Sequence, residues 1–170
     1  TWTGAVNSNW ATAGNWTINE GPPGSTTPTS RVPRSYDNVY IPTGLGTYPT
    51  ISGTATAREL VVADGATLNM TAGTLTVGWS WEDSGGFNAS GGAVVFIGPI
   101  GVAVTSSSAF WNVQIGSGSD STVVTMESNV DIDGDLLISA GATLNPGAYT
   151  VNIAGNWTEA DATGFNTGTG

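Results

Sequence analysis

Cysteine, histidine and lysine are all missing from this 170-residue chain, and its only cations are Arg31, Arg34 and Arg58. Each absence removes a chemistry. Without cysteine there is no disulfide staple and no thiol nucleophile, and the redox compartment cannot be read from cysteine usage. Without histidine or lysine, the common nucleophile–base sets and Schiff-base chemistry are out of reach. Thirteen carboxylates against three arginines give a formal net charge of −10. A nucleic-acid partner is thereby excluded, since phosphate binding relies on clustered basic side chains. The same deficit argues against docking on an anionic membrane. No apolar run approaches the roughly 18–20 residues of a membrane helix, so no membrane insertion is expected. No charged segment followed by an apolar one opens the chain, and if the protein is secreted Thr1 reads as a mature start.

What is present is equally one-sided. Only 9% of residues are charged, so solubility rests on Thr, Ser, Asn and exposed backbone. Such a polar, weakly charged surface is common on secreted, extracellular or cell-surface proteins. Gly, Thr, Ser, Asn, Val and Pro dominate, and no stretch sustains the three-and-four apolar spacing of a helix. Short strand signals run throughout, among them Asn38 to Ile41, Arg58 to Val62, Thr67 to Met70, Thr74 to Val77, Ala93 to Ile97 and Leu136 to Ile138. Breakers such as Asp64-Gly65, Ala72-Gly73, Gly91-Gly92 and Ala140-Gly141 separate them. The chain is all-β. Strand–corner–strand runs of this kind predict a parallel β-solenoid, with a jelly-roll β-sandwich as the alternative. In a solenoid Leu60, Val62, Leu68, Met70, Leu75 and Val77 point inward, each burial contributing about 1.5–3 kcal/mol.

One phrase occurs twice. Gly65-Ala66-Thr67-Leu68-Asn69, Trp81 and Gly86-Phe87-Asn88 return as Gly141-Ala142-Thr143-Leu144-Asn145, Trp157 and Gly164-Phe165-Asn166, offset by 76 residues at Gly65 and Trp81 and by 78 at Phe87. The first copy continues into the apolar strand Ala93 to Ile97, whereas the second reaches Gly168-Thr169-Gly170. A repeat that stops before its last strand leaves a position for something else to fill. Residues 1–52, with Trp2, Trp10, Trp16 and most of the prolines, read as an N-terminal cap or flank. Residues 53–170 read as the solenoid, about one and a half 76-residue units, and the whole as one domain.

Trp2-Thr3-Gly4, Trp10, Gly14-Asn15-Trp16, Pro33, Asp37-Asn38-Val39-Tyr40-Ile41-Pro42, Tyr48-Pro49-Thr50-Ile51, Leu60-Val61-Val62 and Gly65-Ala66-Thr67-Leu68 together resemble the Gly/Thr/Asn-rich β-helical repeat modules of large secreted bacterial surface proteins, of the adhesin or autotransporter-passenger kind. The resemblance covers essentially the whole chain and implies architecture, not chemistry. It carries over no catalytic residue.

Several residues stand out as candidates. Asp131, Asp133 and Asp135 alternate, which on one strand places three carboxylates on one face. That arrangement fits either a Ca²⁺ site or a solvated acidic edge that discourages strand pairing; the spacing fails the EF-hand loop. No other cofactor is indicated. Glu82-Asp83, Asp64 and Glu127 are the carboxylates from which a glycosidase pair would have to be drawn, but nothing fixes their separation, and no enzyme is expected. Trp79, Trp81, Trp111 and Trp157 offer either a platform for sugar rings or packing side chains. Asn15, Asn69, Asn88 and Asn156 head glycosylation sequons.

The alternation in Thr1 to Val6 reads as a strand with one buried face. An unpaired edge at the far end of a solenoid is a template for another chain's strand. We therefore expect a non-enzymatic extracellular structural protein assembling with itself head-to-tail into a filament, through Trp2, Thr3, Ala5 and Val6 at one end and Phe165, Thr167 and Thr169 at the other. The alternative is an adhesive or carbohydrate-binding module with surface glycans as partners. An ice-binding face of stacked Thr67, Thr74 and Thr76 lacks a regular Thr-x-Thr ladder.

Overall fold

Short apolar–polar alternations bury one side of each strand only when coil stacks on coil, and the chain folds in that way. The computed structural model describes residues 1–19, 28–99, 101–118 and 121–166. They form a parallel β-solenoid of about 6 turns with 2% helix, the helix being a 3-10 turn at Ala13–Asn15. In chain order the strands are β1 (Ile18–Asn19), β2 (Pro28–Thr29), β3 (Asn38–Ile41), β4 (Thr50–Ile51), β5 (Thr54–Val62), β6 (Thr67–Met70), β7 (Thr74–Asp83), β8 (Gly86–Ala89) and β9 (Ala93–Phe96). Then follow β10 (Val102–Ser106), β11 (Asn112–Ile115), β12 (Val123–Met126), β13 (Val130–Ile132), β14 (Leu136–Ile138), β15 (Thr143–Asn145), β16 (Val151–Ile153) and β17 (Trp157–Glu159).

Three faces wrap one core. The first face stacks the opening halves of β5 and β7 with β9, β11, β14 and β17. The second stacks β3, the closing halves of β5 and β7, β10, β12 and β15. The third holds β4, β6 and β8 and, separately, β13 and β16. Strands β5 and β7 turn the corner between the first two faces without a break in pairing, apart from a register shift between Ala57 and Glu59. All these pairs are parallel; among the described residues only β1–β2 and the Trp2–Trp16 bridge are antiparallel.

Like residues stack in columns along the axis. On the first face one inward column runs Ala55, Leu75, Val94, Val113, Leu136, Trp157, and its neighbour runs Ala57, Val77, Phe96, Ile115, Ile138, Glu159. The true structural repeat is therefore a coil of 19 to 23 residues, read from the spacings in that first column. This corrects the 76-residue unit: Leu68 lies on the third face and its echo Leu144 on the second. What recurs is a corner. Gly65 and Gly141 both adopt left-handed φ, +74° and +76°, a conformation that costs a side chain about 1 kcal/mol or more. Each corner closes with the same turn bond, Ala66 N–H to the Ala63 carbonyl (2.8 Å) and Ala142 N–H to the Ser139 carbonyl (3.1 Å). The six residues expected to point inward, Leu60 to Val77, are all buried.

Residues 1–19 close one end of the bore. Trp2, Trp10 and Trp16 are buried and meet edge-to-face, with ring centroids 4.9 Å and 4.6 Å apart. Their arrangement is pinned by Asn15, wholly buried. Its carboxamide oxygen accepts from the Val6 and Asn7 N–H groups, and its nitrogen donates to Asn7 Oδ1 and the Asn9 carbonyl. The cap ends earlier than residue 52. Strands β3 and β4 already belong to the first coil, because Val39 and Ile41 extend the Leu60 and Val62 columns.

Candidate functional site

The two ends of the rod differ in how their backbone is satisfied. At the capped end the Trp2 N–H donates to the Tyr40 carbonyl (2.9 Å) and the Trp2 indole to the Thr47 carbonyl (2.9 Å). On its other side Thr3 N–H donates to the Asn15 carbonyl and Thr17 N–H to the Thr1 carbonyl. Both edges of the expected assembly strand are thus taken inside the chain, and Trp2 lies in the core. Thr3 and Ala5 sit at the surface within the cap, and Val6 is exposed. The free strand expected at Trp2 to Val6 is not free, because Trp2 packs edge-to-face on Trp16 in the core and the Val6 N–H is bonded to Asn15.

At the other end β17 pairs with β14 and β16 with β13, and neither has a second strand neighbour among the described residues. Phe165 bridges Leu144; Thr167 and Thr169 lie outside the described residues. The inward columns record the change. Ala55 through Leu136 are at most 3% exposed, whereas Trp157, next in that column, is 42% exposed. Beside it stands Glu159 where Ile138 would call for another apolar residue. Its carboxylate accepts from the Gly164 and Phe165 N–H groups at 2.7 and 3.1 Å. A core-facing tryptophan with one open side, a bent-back carboxylate and unpaired strand edges make this coil the candidate interface.

The three aspartates do not converge. Only Val130–Ile132 is strand, so the alternate-residue rule fails beyond it as the chain turns at Asp133-Gly134. Asp131 accepts from the Asn152 amide (2.7 Å), and Asp135 Oδ1 accepts from Asn156 N–H and Nδ2 at 2.7 and 3.0 Å. No group of three carboxylates able to hold a metal exists among the described residues. Asp135 instead joins a ladder in which Asn112 Nδ2 donates to the Gly92 carbonyl, Asn112 Oδ1 receives the Asp135 N–H and Asp135 Oδ1 receives Asn156, while Asp131 meets Asn152 on the third face. The ladder ties successive coils together where the chain turns into the first face.

Of the sequon residues, Asn15 is sealed in the cap with every polar atom used, so no glycan fits there in the folded chain. Asn88 and Asn156 are exposed and Asn69 half-buried; Asn88 Nδ2 donates to Asn69 Oδ1 (3.3 Å). The tryptophan platform also separates. Trp81 is core, held between Phe87 and Phe110 at 4.9 and 5.0 Å. Trp79, Trp111 and Trp157 are each about 40% exposed, and no ring contact joins any two of them among the described residues.

The carboxylates divide by strand parity. Glu82 points outward and Asp83 inward, where it is buried with Oδ1 unpartnered and Oδ2 accepting from Ser106 at 3.4 Å. Asp64 sits on a corner, exposed. Glu82 is level with Thr105, and Thr105 Oγ1 donates to Glu127 at 3.5 Å, so Glu82 and Glu127 stand two strand spacings apart on the second face. A bidentate ion pair lies beside the cap. Arg31 clamps Asp37 with both guanidinium nitrogens, and the Arg34 N–H adds a third bond (2.7 Å). These hold the Asp37 carboxyl below the usual range, the Arg31 hydrogen bonds contributing most.

Sequence reasoning missed the core-facing placement of Glu159 and Asp83 and gave Arg58 no role beyond its charge. Only the column register shows that the first two occupy core-facing positions. No family model matches the chain, and no curated protein and no solved structure matches it.

Proposed function

We propose that this chain is a non-enzymatic structural unit of an extracellular fibre, part of a secreted bacterial surface protein of the adhesin or autotransporter-passenger kind. Its rod is closed by the tryptophan cap and continued at the Trp157 coil by further β-structure from a neighbouring copy. The observation that carries this reading is the exposed Trp157 in a column whose other members are buried. Covering such a side chain contributes on the order of 25 cal/mol per Å² of apolar surface, and unpaired parallel edges accept a further strand.

Because the capped and open ends are unlike surfaces, their contact is heterologous and propagates; contact between two open ends stops at a dimer. A weakly charged, Thr- and Asn-rich exterior suits a surface fibre. A carbohydrate-binding role is the second reading, favoured by the exposed Trp79. Light scattering and electron microscopy at micromolar concentration test the fibre: filaments lost in Trp157→Glu support it, while a strictly monomeric or dimeric wild type overturns it.

A further inference from the structure

On the second face, away from both ends, lies a cleft of about 310 Å³ lined by Trp79, Gly101, Val102, Ala103, Thr125 and Glu127. Its volume is at the lower end of small-ligand sites, which run to about 300–1,000 Å³. The cleft crosses neighbouring strands. Ser80, next to Trp79, is level with Ala103, and Ala103 with Thr125. Small residues therefore form the floor, an indole one wall and a carboxylate the far rim.

The indole is held from behind. Arg58, on the coil before, places its guanidinium carbon 4.4 Å from the Trp79 ring centroid and is itself 3.7 Å from Glu59. Arg58 belongs to β5, on one side of β7, whereas Val102 and Ala103 of β10 and, beyond it, Thr125 of β12 lie on the other side. Arg58 thus covers the ring from the β5 side, and the indole also lines the cleft on the β10 side. From this geometry we infer, resting on the carbohydrate-binding reading above, that the cleft is a binding site for an uncharged saccharide unit. The C–H face of the sugar stacks on the Trp79 indole, and its hydroxyls donate to Glu127 and exchange hydrogen bonds with Thr125.

Charge selects among ligands. Glu59, Glu82 and Glu127 on this face disfavour uronic acids, sulfated sugars and phosphates. These carboxylates would attract a cation, but a cation on the indole faces the Arg58 guanidinium across the ring, so a neutral sugar is the ligand that meets neither repulsion. The site is lateral, so its occupancy does not depend on what covers the Trp157 coil.

An array of immobilised neutral, acidic and cationic oligosaccharides, probed with the full chain, tests the assignment. The wild type is expected to bind neutral members, with Kd raised at least about tenfold in Trp79→Ala and largely restored in Trp79→Phe. Glu127→Gln should weaken binding, whereas Trp111→Ala, removing an equally exposed indole elsewhere, should leave it unchanged. Failure to bind any neutral member, preference for acidic or cationic members, or equal loss in Trp79→Ala and Trp111→Ala would each overturn the site.

Discussion

The same aromatic pair occurs in two regions of the molecule with opposite fates. Trp81 and Phe87 meet edge-to-face at 4.9 Å, and their echoes Trp157 and Phe165 do so at 4.7 Å. The first pair has coils on both sides, with Phe110 and Phe96 completing an aromatic cluster, and Trp81 is 1% exposed. Among the described residues Trp157 has a coil on one side, and it is 42% exposed. Local sequence therefore reproduces the contact, and the neighbouring coil decides whether that contact is core or surface.

Substitutions widen or close this contrast by calculable amounts. Trp81→Ala should lower unfolding stability by about 3–5 kcal/mol in urea titration, because a large cavity opens between coils. The cap supplies an intermediate case: Asn15→Leu strands the Val6 and Asn7 N–H groups and should cost about 2–3 kcal/mol in the same titration. Next to Trp81, Asp83→Val continues the Val62 column and removes an unpartnered buried oxygen. It should raise stability by about 1–2 kcal/mol, and a loss instead would mean that the carboxylate has a partner essential to the coil.

Acid gives a graded test beside the cap. The Asp37 carboxyl is held low in the folded chain, so its contribution is fully present above the unfolded value near 3.9 and is lost as pH falls through the folded value. The Tm gap between wild type and Asp37→Asn should therefore be widest near neutral pH, narrow below about pH 4 and close at lower pH. Smallest of all, Trp157→Ala should cost less than about 1 kcal/mol in the isolated chain. Should it cost as much as Trp81→Ala, the open side of Trp157 is already covered.

Much of the coil was legible. Leu60, Val62, Leu68, Met70, Leu75 and Val77 alternate on short strands, and a period of two states which side of a strand is apolar without any tertiary knowledge. Strands β8, β15 and β17 carry a weaker sequence signal, because each holds a single large apolar residue, Phe87, Leu144 or Trp157, in three or four positions. Their pairing comes from neighbours about twenty residues away. The aspartates misled for the same reason: alternation means one face only while the strand lasts, and β13 stops at Ile132. The cleft at Trp79 was half visible, since an indole beside Gly78 can be noted from sequence, but Arg58 behind it cannot.

The amino-acid sequence by itself determined an all-β chain of short strands, glycine corners at Gly65 and Gly141, and the inward residues of each strand, since these depend on φ/ψ preference and alternation over a few positions. Only the tertiary structure decided which corner each motif turns, that Trp2 closes the bore, that Trp81 is core while Trp79 and Trp157 are surface, and that Asp83 is buried. Burial belongs to the coils above and below a residue, and which residues those are depends on accumulated corner lengths that no local pattern encodes.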